Sequence, residues 1–242
     1  MHVKEIIRTT LMFLHIDLTK NLEYDRLTNL IMKRVINKDS NCIDVGCHKG
    51  EILKDIIHYS PNGKHFAFEP IPYMYEHLKV EFKDKAEIFP YALSNKKGES
   101  SFQMVKNAPA YSGIKNRRYN DIKNPEVEEI KVELNTLDDI ISEEIKIDFI
   151  KIDVEGGEFD VIKGGINMVK RDKPTIIFEC GVGSSDFYGV NSNDFYNLLT
   201  QEICLKVYTL KSFIKSKAPL TENEFGNYFK TNEEYYFIAS VN

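Results

Sequence analysis

Acidic residues lie where several short apolar runs of this sequence end. Asp44 stands near the end of the first run, Glu69 and Asp153 follow two others, and Glu179 comes at the end of a fourth. If these runs are parallel strands of one sheet, their carboxyl ends open onto one crevice in which a ligand would bind. Carboxylates there suit a cationic or hydroxyl-bearing ligand, because a buried carboxylate without a partner costs free energy. The alternative for each of them is a helix cap or an ion pair with a lysine.

A glycine-containing turn follows the first run, in the segment Asp44-Val-Gly-Cys-His-Lys-Gly50. Its glycines let the backbone approach a ligand closely, and His48 within it is interpreted as a partly exposed turn residue. Glu69 lies 19 residues beyond Gly50, where an acidic side chain can accept hydrogen bonds from the two hydroxyls of a ribose. The glycine spacing is GxxxG instead of GxGxxG, which favours a nucleoside without a pyrophosphate over a dinucleotide.

Strand and helix patterns alternate along the chain, and these elements must position the acidic residues. Strands are predicted at residues 41–46, 65–69, 87–93, 148–154 and 175–180. Helices are predicted at residues 20–37, 52–57, 72–82, 159–169 and 192–203. Such alternation of apolar runs and helical spacing predicts a doubly wound α/β fold, a parallel sheet with helices on both faces.

Two parts of the chain break this alternation. Residues 101–105 and 128–134 have the pattern of strands joined by a long polar stretch, which predicts a hairpin insertion whose loop could act as a lid. Towards the C-terminal end, strands are predicted at 205–209 and 235–240 with no helix between them. The last strand is therefore expected to be antiparallel, because a parallel pair needs a longer crossover.

Composition and charge limit the classes of function. The chain is 42% hydrophobic and 29% charged, as in soluble globular proteins, and it has no apolar run long enough for a membrane span and no signal peptide, so a cytoplasmic location is expected. A net charge of −5, with 13 acidic residues against 3 lysines in residues 126–160, argues against a nucleic-acid partner. The four cysteines lack the spacing of a zinc site or a disulfide framework.

Four short blocks of the sequence resemble the FkbM family of S-adenosylmethionine-dependent methyltransferases. They are Ile43-Asp-Val-Gly46 with Gly50, Phe68-Glu-Pro70, Thr136-Leu-Asp138 and Phe149-Ile-Lys-Ile-Asp-Val-Glu-Gly-Gly-Glu158. The similarity covers about residues 40–181 and implies a Rossmann-like, seven-stranded sheet of the class I methyltransferase type with an antiparallel last strand. It also implies O-methylation of a hydroxyl on a sugar, a glycan or a small metabolite.

The same resemblance implies roles in binding the cofactor, S-adenosylmethionine. Its methionine end would be lined by Asp44, Gly46 and Gly50. Glu69 would hold the ribose, and Ala92 and Leu93, at the end of the third predicted strand, would flank the adenine. Residues 1–40 would then form an N-terminal helical lead segment, and residues 41–242 the methyltransferase domain.

Methyl transfer to a hydroxyl also needs a group that takes the proton of that hydroxyl. Asp153 and Glu155, at the end of the fourth predicted strand, are the candidate catalytic residues. Lys151 lies on the same strand face as Asp153, and pairing between them would lower the pKa of Asp153. The alternative is that Asp153 and Glu155 organise the turn and cap the next helix.

The loop of the insertion supplies candidates for binding the acceptor. Tyr111, Ser112 and Arg118 combine aromatic and cationic groups that suit sugar rings or acidic groups, and Glu179 is a further substrate-side candidate. The alternative is that this loop is only a solvated surface loop and binds no acceptor. No grouping of acids typical of a metal-dependent methyltransferase is evident in the sequence, so no metal is expected.

Two other functions fit a sheet of this type. A NAD-dependent oxidoreductase would share the architecture, although the missing GxGxxG motif counts against it. A catalytically inactive cofactor-binding protein would keep the crevice without turnover. The sequence predicts a small-molecule or carbohydrate acceptor without identifying it, and the oligomeric state is left open.

Overall fold

The computed structural model describes residues 19–115, 122 and 124–242. In chain order its strands are β1 (Cys42–Val45), β2 (His65–Phe68), β3 (Glu87–Phe89), β4 (Tyr91–Leu93), β5 (Gly98–Val105), β6 (Val127–Asn135), β7 (Phe149–Ile152), β8 (Thr175–Glu179), β9 (Lys206–Thr209) and β10 (Tyr236–Ser240). Within these described ranges, none of the helices has the length and apolar character that a membrane crossing requires.

The larger of two sheets has seven strands in the order β3-β2-β1-β7-β8-β10-β9. Strands β1, β2, β3, β7 and β8 pair in parallel, and β10 runs antiparallel to both of its neighbours, β8 and β9. This confirms the predicted α/β sheet with an antiparallel last strand. The strand order reverses between β1 and β7, which is the position where open parallel sheets bind ligands.

Helices cover both faces of this sheet. They are α1 (Lys20–Val35), α2 (Glu51–Tyr59), α3 (Pro72–Glu81), α4 (Leu137–Ile140), α5 (Glu158–Gly164), α6 (Ile166–Asp172), α7 (Ser192–Asn197), α8 (Leu210–Ile214) and α9 (Glu222–Thr231). Strands β1, β2 and β7 are buried at every position. Alternate residues of β1 and β7 pack into two separate clusters, one with α5, α6, α7 and α9 and one with α1, α2 and α8. Because these strands are buried on both faces of the sheet, their sequences are nearly continuous apolar runs.

Helix α1 begins at a side-chain cap and covers one of these faces. The Thr19 hydroxyl accepts a hydrogen bond from the backbone N–H of Leu22, and Lys33 and Arg34 lie in the last turn, where cations stabilise a helix. The buried side chains recur at helical spacing and are Tyr24, Leu27, Thr28, Ile31 and Met32. This stripe packs on alternate strand residues of β1, β7, β8 and β10, so α1 is an integral part of the core.

The strand register brings the polar residues of the crevice to the α1 side of the sheet. Asp44 of β1 pairs in register with Lys151 of β7, and Glu179 of β8 pairs with Tyr236 of β10. Asp153 comes two residues after Lys151, so both side chains lie on the same side of the sheet. Lys151 pairs in register with Ile177 of β8, and Glu179, two residues after Ile177, therefore lies on this side as well. Side chains from four strands thus converge on one face.

The predicted third strand, residues 87–93, is two strands in the structure, so that prediction is wrong. Pro90 has no backbone N–H to donate and stands between them. Strand β3 pairs with β2 in the large sheet, whereas β4 pairs with β6 in a smaller sheet of order β4-β6-β5. Ala92 and Leu93 therefore belong to the smaller sheet, which lies beside the crevice.

The predicted hairpin insertion is confirmed as the rest of this smaller sheet. Strands β5 and β6 pair antiparallel from Gly98 opposite Leu134 to Val105 opposite Val127. The inner face of the hairpin packs with Ile71 and the β4 strand. The smaller sheet thereby closes one side of the crevice.

The expectation of no helix between the last two predicted strands is also wrong, because α8 and α9 lie between β9 and β10. Helix α9 begins with a capping box formed by Thr221 and Glu224, and it buries Phe225 and Phe229. The Thr-x-x-Glu spacing and the two phenylalanines at helical spacing were the available sequence signal. Strand β10 is antiparallel because it inserts between β8 and β9 and runs against both.

Candidate active site

Two adjacent cavities open at the carboxyl ends of β1, β2 and β7. The larger has a volume of about 600 Å³ and extends from Asp44 to α1 and the start of β10. The smaller lies between the end of β2 and the smaller sheet. The residues that line both are Gly46, His48, Ala110, Asp153 and Glu155. This shared wall lies where the strand order reverses.

The smaller cavity has a mostly apolar lining apart from Glu69 and the two carboxylates of the shared wall. Phe68 and Phe102 contribute aromatic surface, and Ala92 and Leu93 line it together with Glu69. The structure therefore brings together the three residues predicted for the adenosine half of a cofactor. Apolar surface and a hydrogen-bond acceptor are what a nucleoside needs from a protein.

Glu69 follows β2 and is 4% exposed. Its Oε2 accepts a hydrogen bond from the backbone N–H of His48, and its Oε1 accepts one from that of Ile71, both at 2.9 Å. Burial raises the pKa of this carboxyl to about 7, against the opposing effect of these two hydrogen bonds. Glu69 thus ties the turn after β1 to the turn after β2, and each oxygen keeps a lone pair for a ligand hydroxyl.

Gly46 follows β1 with a left-handed backbone that allows two strand ends to touch. Its φ is +75°, and a Cβ there would lie 2.0 Å from the carbonyl oxygen of Asp153. Any side chain would therefore push β1 away from β7 at the crevice. Gly50 also has a positive φ, but a Cβ there would meet the ring of Phe82, and Gly50 lines neither cavity. Gly50 thus lies at the packing of α2 against α3, and its role at the methionine end of the cofactor stays a prediction.

We expect Gly46→Ala to lower the free energy of unfolding by at least about 3 kcal/mol, because a backbone clash adds to the strain of a positive φ. Gly189 is the matched control, since its φ is +74° and no atom lies within 4 Å of the added Cβ. Gly189→Ala should cost only about 1 kcal/mol. Urea denaturation of both variants measures the difference, and equal losses would contradict this role of Gly46.

Asp44 lies on the floor of the larger cavity and is 2% exposed. Burial raises its pKa to about 7, while the nearby Lys151 ammonium acts in the opposite direction. Among the described residues, its Oδ2 has no hydrogen-bond partner. A buried carboxyl with an unsatisfied oxygen carries a desolvation cost, which a cationic ligand beside it would reduce.

Asp153 is the centre of a hydrogen-bonded group at the end of β7. Its Oδ2 accepts hydrogen bonds from Lys151 Nζ at 3.0 Å and from the Tyr236 hydroxyl at 2.5 Å. Lys151 Nζ also lies 4.6 Å from the centre of the Tyr236 ring. Burial raises the pKa of Asp153, but the Lys151 charge and these hydrogen bonds outweigh it and hold the pKa below its usual value. The predicted pairing of Lys151 with Asp153 is present, and it favours the ionised form of Asp153.

Glu158 has the structural role that was considered for Asp153 and Glu155. It is fully buried, and its Oε1 accepts hydrogen bonds from the backbone N–H groups of Val154 at 3.0 Å and Gly156 at 3.2 Å. These bonds hold the turn before α5, and burial raises the pKa of Glu158 to about 7. Glu155, with a φ of +59°, instead lines both cavities. Glu158 was not among the residues predicted to form the site.

Three carboxylates meet at the strand ends, from Asp153, Glu155 and Glu179. One oxygen of each lies within 4.8 Å of the other two. Hard divalent cations favour such oxygen ligands, so these residues could hold a metal ion, although none is expected from the sequence. Lys151 already neutralises Asp153 from 3.0 Å and would repel a second cation placed beside it.

The residues predicted to bind the acceptor lie in different places. Tyr111 lines the larger cavity, as does Glu179. Ser112 lines the smaller cavity, but it is buried and its hydroxyl accepts a hydrogen bond from the backbone N–H of Val105 at 2.9 Å, which closes the insertion. Arg118 lies outside the described residues.

The wall of the larger cavity that α1 and β10 form was not predicted from the sequence. Tyr24, Asp25, Tyr235 and Tyr236 all line it. Tyr235 and the Tyr24 hydroxyl are joined by a hydrogen bond across 211 residues of sequence. Two adjacent tyrosines at the start of a predicted strand were the only local signal.

We expect the protein to be more stable at pH 6.5 than at pH 8. Burial raises the pKa of Asp44, Glu69 and Glu158 to about 7, whereas such groups titrate near about 4 in an unfolded chain. The folded state therefore binds more protons in this range, so stability falls as the pH rises through 7. The lowered pKa values of His48 and His65 act in the opposite direction, mainly below pH 6.5. Thermal unfolding should show a midpoint about 4 °C lower at pH 8, and a flat or rising profile would contradict this.

The fold and the site together define a class of protein. A seven-stranded sheet with this strand order, an antiparallel last strand and a cleft at the strand ends is the architecture of the class I methyltransferases. A family model described as a methyltransferase FkbM domain matches residues 44–204, which is more than half of the chain. The chain belongs to the FkbM methyltransferase family. No curated protein matches the sequence at a significant level.

Several solved structures are similar to this chain at low sequence identity. The methyltransferase FkbM from Methylobacillus flagellatus KT is 14% identical with a TM-score of 0.51, over 84% of this chain and 44% of that chain. The precorrin-6y C5,15-methyltransferase from Geobacter metallireducens GS-15 is 14% identical with a TM-score of 0.42, over 79% and 75%. The Methanococcus jannaschii fibrillarin pre-rRNA processing protein is 13% identical with a TM-score of 0.43, over 88% and 72%. The matched region spans less than half the length of the FkbM structure.

Proposed function

We propose that this protein uses S-adenosylmethionine to methylate a hydroxyl of a sugar, a glycan or another small metabolite. The observation that carries the proposal is the pair of adjacent cavities. One is apolar with Glu69 at its edge, the other is acidic with Asp44 on its floor, and they share a wall at Gly46, Asp153 and Glu155. The two ends of this cofactor differ in the same way, since one carries an aromatic base and the other an ammonium group.

The residues present fit this cofactor. Ala92 and Leu93 supply apolar surface for an adenine, and the Glu69 carboxylate supplies acceptors for ribose hydroxyls. Gly46 leaves bare backbone at the shared wall, and the unpartnered Oδ2 of Asp44 suits an ammonium group. When bound, S-adenosylmethionine supplies an electrophilic methyl group carried on a sulfonium.

The contribution of the protein itself is to orient the acceptor and to take its proton. We assign the role of general base to Glu155, because it lines both cavities at their shared wall. Asp153, which Lys151 and Tyr236 keep ionised, supplies negative charge beside the same wall. Orientation of the hydroxyl by the cavity wall provides much of the acceleration in a displacement of this kind.

A small-molecule or carbohydrate acceptor is favoured over a nucleic acid. The acceptor side of the larger cavity is lined by Asp25, Glu155 and Glu179. Proteins bind nucleic acids chiefly by placing lysine and arginine against the phosphates, and carboxylates at this position would repel them.

Calorimetric titration of the purified protein tests this proposal. S-adenosylmethionine and S-adenosylhomocysteine should each bind with dissociation constants of about micromolar size, whereas NAD, the control for an oxidoreductase, should give no heat of binding. Binding of NAD alone would overturn the proposal, and so would the absence of binding by both sulfur ligands.

A further inference from the structure

His48 lies on the wall that the two cavities share, and the chemistry proposed above does not use it. The residues that line both cavities are Gly46, His48, Ala110, Asp153 and Glu155. Glycine and alanine have no polar side chain, and the two carboxylates accept hydrogen bonds when they are ionised. Among these described residues, His48 therefore has the side chain that can donate a hydrogen bond to a ligand.

The backbone of His48 has a conformation that few side chains adopt. Its φ is +50°, in the left-handed region that favours glycine. Its N–H donates to Glu69 Oε2 at 2.9 Å, and the N–H of Gly50 closes the turn by donating to the carbonyl oxygen of Cys47 at 2.7 Å. Residues held in this way cluster at binding and active sites. The turn thus keeps His48 beside the carboxylate that is assigned to the ribose.

The imidazole of His48 has a nitrogen without a partner. Its Nε2 is buried and has no hydrogen-bond partner among the described residues. Burial lowers the pKa of His48, and the Lys49 charge acts in the same direction, whereas the charges of Glu51 and Asp153 oppose this shift without cancelling it. A neutral imidazole carries its N–H on one of its two ring nitrogens, so Nε2 can be the donor. A buried donor without a partner has a desolvation cost, which an acceptor on a ligand would remove.

The cofactor assigned to these cavities has one group that needs such a donor. S-adenosylmethionine carries a carboxylate on the carbon that also bears the ammonium. Glu69 lines only the smaller cavity and Asp44 only the larger, so a ligand that reaches both passes the shared wall. On this wall Asp153 and Glu155 would repel a carboxylate. His48 is therefore the side chain of the wall beside which the carboxylate can lie.

The described part of the chain also contributes two lysines to the larger cavity. Lys151 Nζ is already bonded to Asp153 at 3.0 Å. Lys49 is exposed and lines only the larger cavity. An exposed ammonium gains little from pairing with a carboxylate, because water solvates both charges. Lys49 is therefore the comparison residue for His48.

We propose that Nε2–H of His48 donates a hydrogen bond to the carboxylate of the methionine moiety of the cofactor. The inference rests on the proposed function, since it assigns a further binding residue to the same site. The ammonium of this moiety would lie beside Asp44 and the carboxylate beside His48, so the residues on either side of the Gly46 turn would bind the two charged groups of one carbon.

Isothermal titration calorimetry with S-adenosylhomocysteine and decarboxylated S-adenosylhomocysteine tests this inference, because the two ligands differ only in the carboxylate. We expect His48→Leu to weaken binding of S-adenosylhomocysteine about tenfold, as for the loss of a hydrogen bond to a charged group. Binding of the decarboxylated ligand should stay within about threefold. Competition against S-adenosylhomocysteine extends the measurement to weak binding. Equal losses for both ligands, or no loss for either, would overturn the inference.

Further variants separate hydrogen bonding from packing. His48→Gln keeps an amide N–H at about the reach of Nε2, so it should bind S-adenosylhomocysteine within about threefold of the unmodified protein. Lys49→Gln should do the same. His58→Leu is the matched control, since His58 is exposed on α2 and lines neither cavity. A loss as large in His48→Gln as in His48→Leu, or a loss in Lys49→Gln with none in His48→Leu, would overturn the inference.

Urea denaturation shows whether His48 serves the fold instead. His48→Gly should unfold at the same or a higher urea concentration, because glycine suits a positive φ and the buried nitrogen is removed. The same variant should bind S-adenosylhomocysteine about tenfold more weakly. A lower midpoint with unchanged affinity would assign a purely structural role and overturn the inference.

The titration of the unmodified protein separates the two possible failures. If it does not bind S-adenosylhomocysteine, the proposed function itself fails. If it binds S-adenosylhomocysteine and His48→Leu binds this ligand equally well, only the present inference fails.

Discussion

Replacing Glu69 with glutamine is expected to weaken the binding of S-adenosylhomocysteine about 100-fold, because hydrogen bonds to a charged group contribute about 1.5–3 kcal/mol each. Both carboxylate oxygens accept from backbone N–H groups, those of His48 and Ile71. A glutamine turns one of these acceptors into a donor that faces another donor, and it leaves fewer acceptors for a ribose. Isothermal titration calorimetry measures the loss.

The control for this prediction is Glu81→Gln, which removes a carboxylate of α3 that pairs with Lys54 and lines neither cavity. Its affinity for S-adenosylhomocysteine should equal that of the unmodified protein. Thermal melting should show that Glu69→Gln is still folded under the conditions of the titration. An affinity within about threefold of the unmodified protein, about 0.7 kcal/mol, would show that Glu69 serves only to join the two turns.

Glu155→Gln is expected to lower kcat about 100-fold or more, since a positioned general base contributes at least this factor. The affinity for S-adenosylhomocysteine should stay within about threefold, because the change keeps the size of the side chain and its place at the shared wall. Release of S-adenosylhomocysteine, with an acceptor that supports turnover by the unmodified protein, measures kcat. An unchanged kcat would remove Glu155 from the mechanism.

Asp153→Asn is the useful comparison with Glu155→Gln, because it should also lower the free energy of unfolding. Lys151 is 5% exposed in its side chain and has its ion pair with Asp153. Removing one partner of such a pair typically costs about 3 kcal/mol, since the other charge stays buried. We therefore expect Asp153→Asn to unfold at lower urea concentration than Glu155→Gln. Equal stability of the two variants would contradict the anchoring of Asp153 by Lys151 and Tyr236.

The acidic strand ends could be predicted from the sequence because their signals are local. An apolar run that is buried on both faces reads as a continuous block, and Asp44, Glu69 and Asp153 stand where such blocks end. The Lys151–Asp153 pair follows from the period of two residues along a strand. Ala92, Leu93 and Glu69 were predicted as neighbours only through the family resemblance, and the structure places all three on the smaller cavity.

The sequence could not show which of several neighbouring acidic residues accepts the backbone hydrogen bonds of a turn. Asp153, Glu155 and Glu158 lie within six residues, and nothing in their types decides which one turns inward to hold the backbone. The structure gives that role to Glu158, because the turn before α5 directs the N–H groups of Val154 and Gly156 at its carboxylate. Likewise, the chain breaks at Pro90, so that β3 pairs with β2 in one sheet and β4 pairs with β6 in the other. Strand pairing depends on residues that are far apart in the sequence, and the residues around Pro90 do not indicate the partner.

The α/β class, the family and the acidic character of the crevice could be predicted from the amino-acid sequence, because they depend on periodicity and on short contiguous blocks. The residues that face those acids across the larger cavity are known only from the folded structure. Tyr24 and Asp25 of α1 lie beside Tyr235, which precedes β10, and Tyr236, its first residue, across more than 200 residues of sequence. Such contacts depend on which face of the sheet α1 covers and on the insertion of β10 between β8 and β9, and no local pattern of side chains encodes either choice.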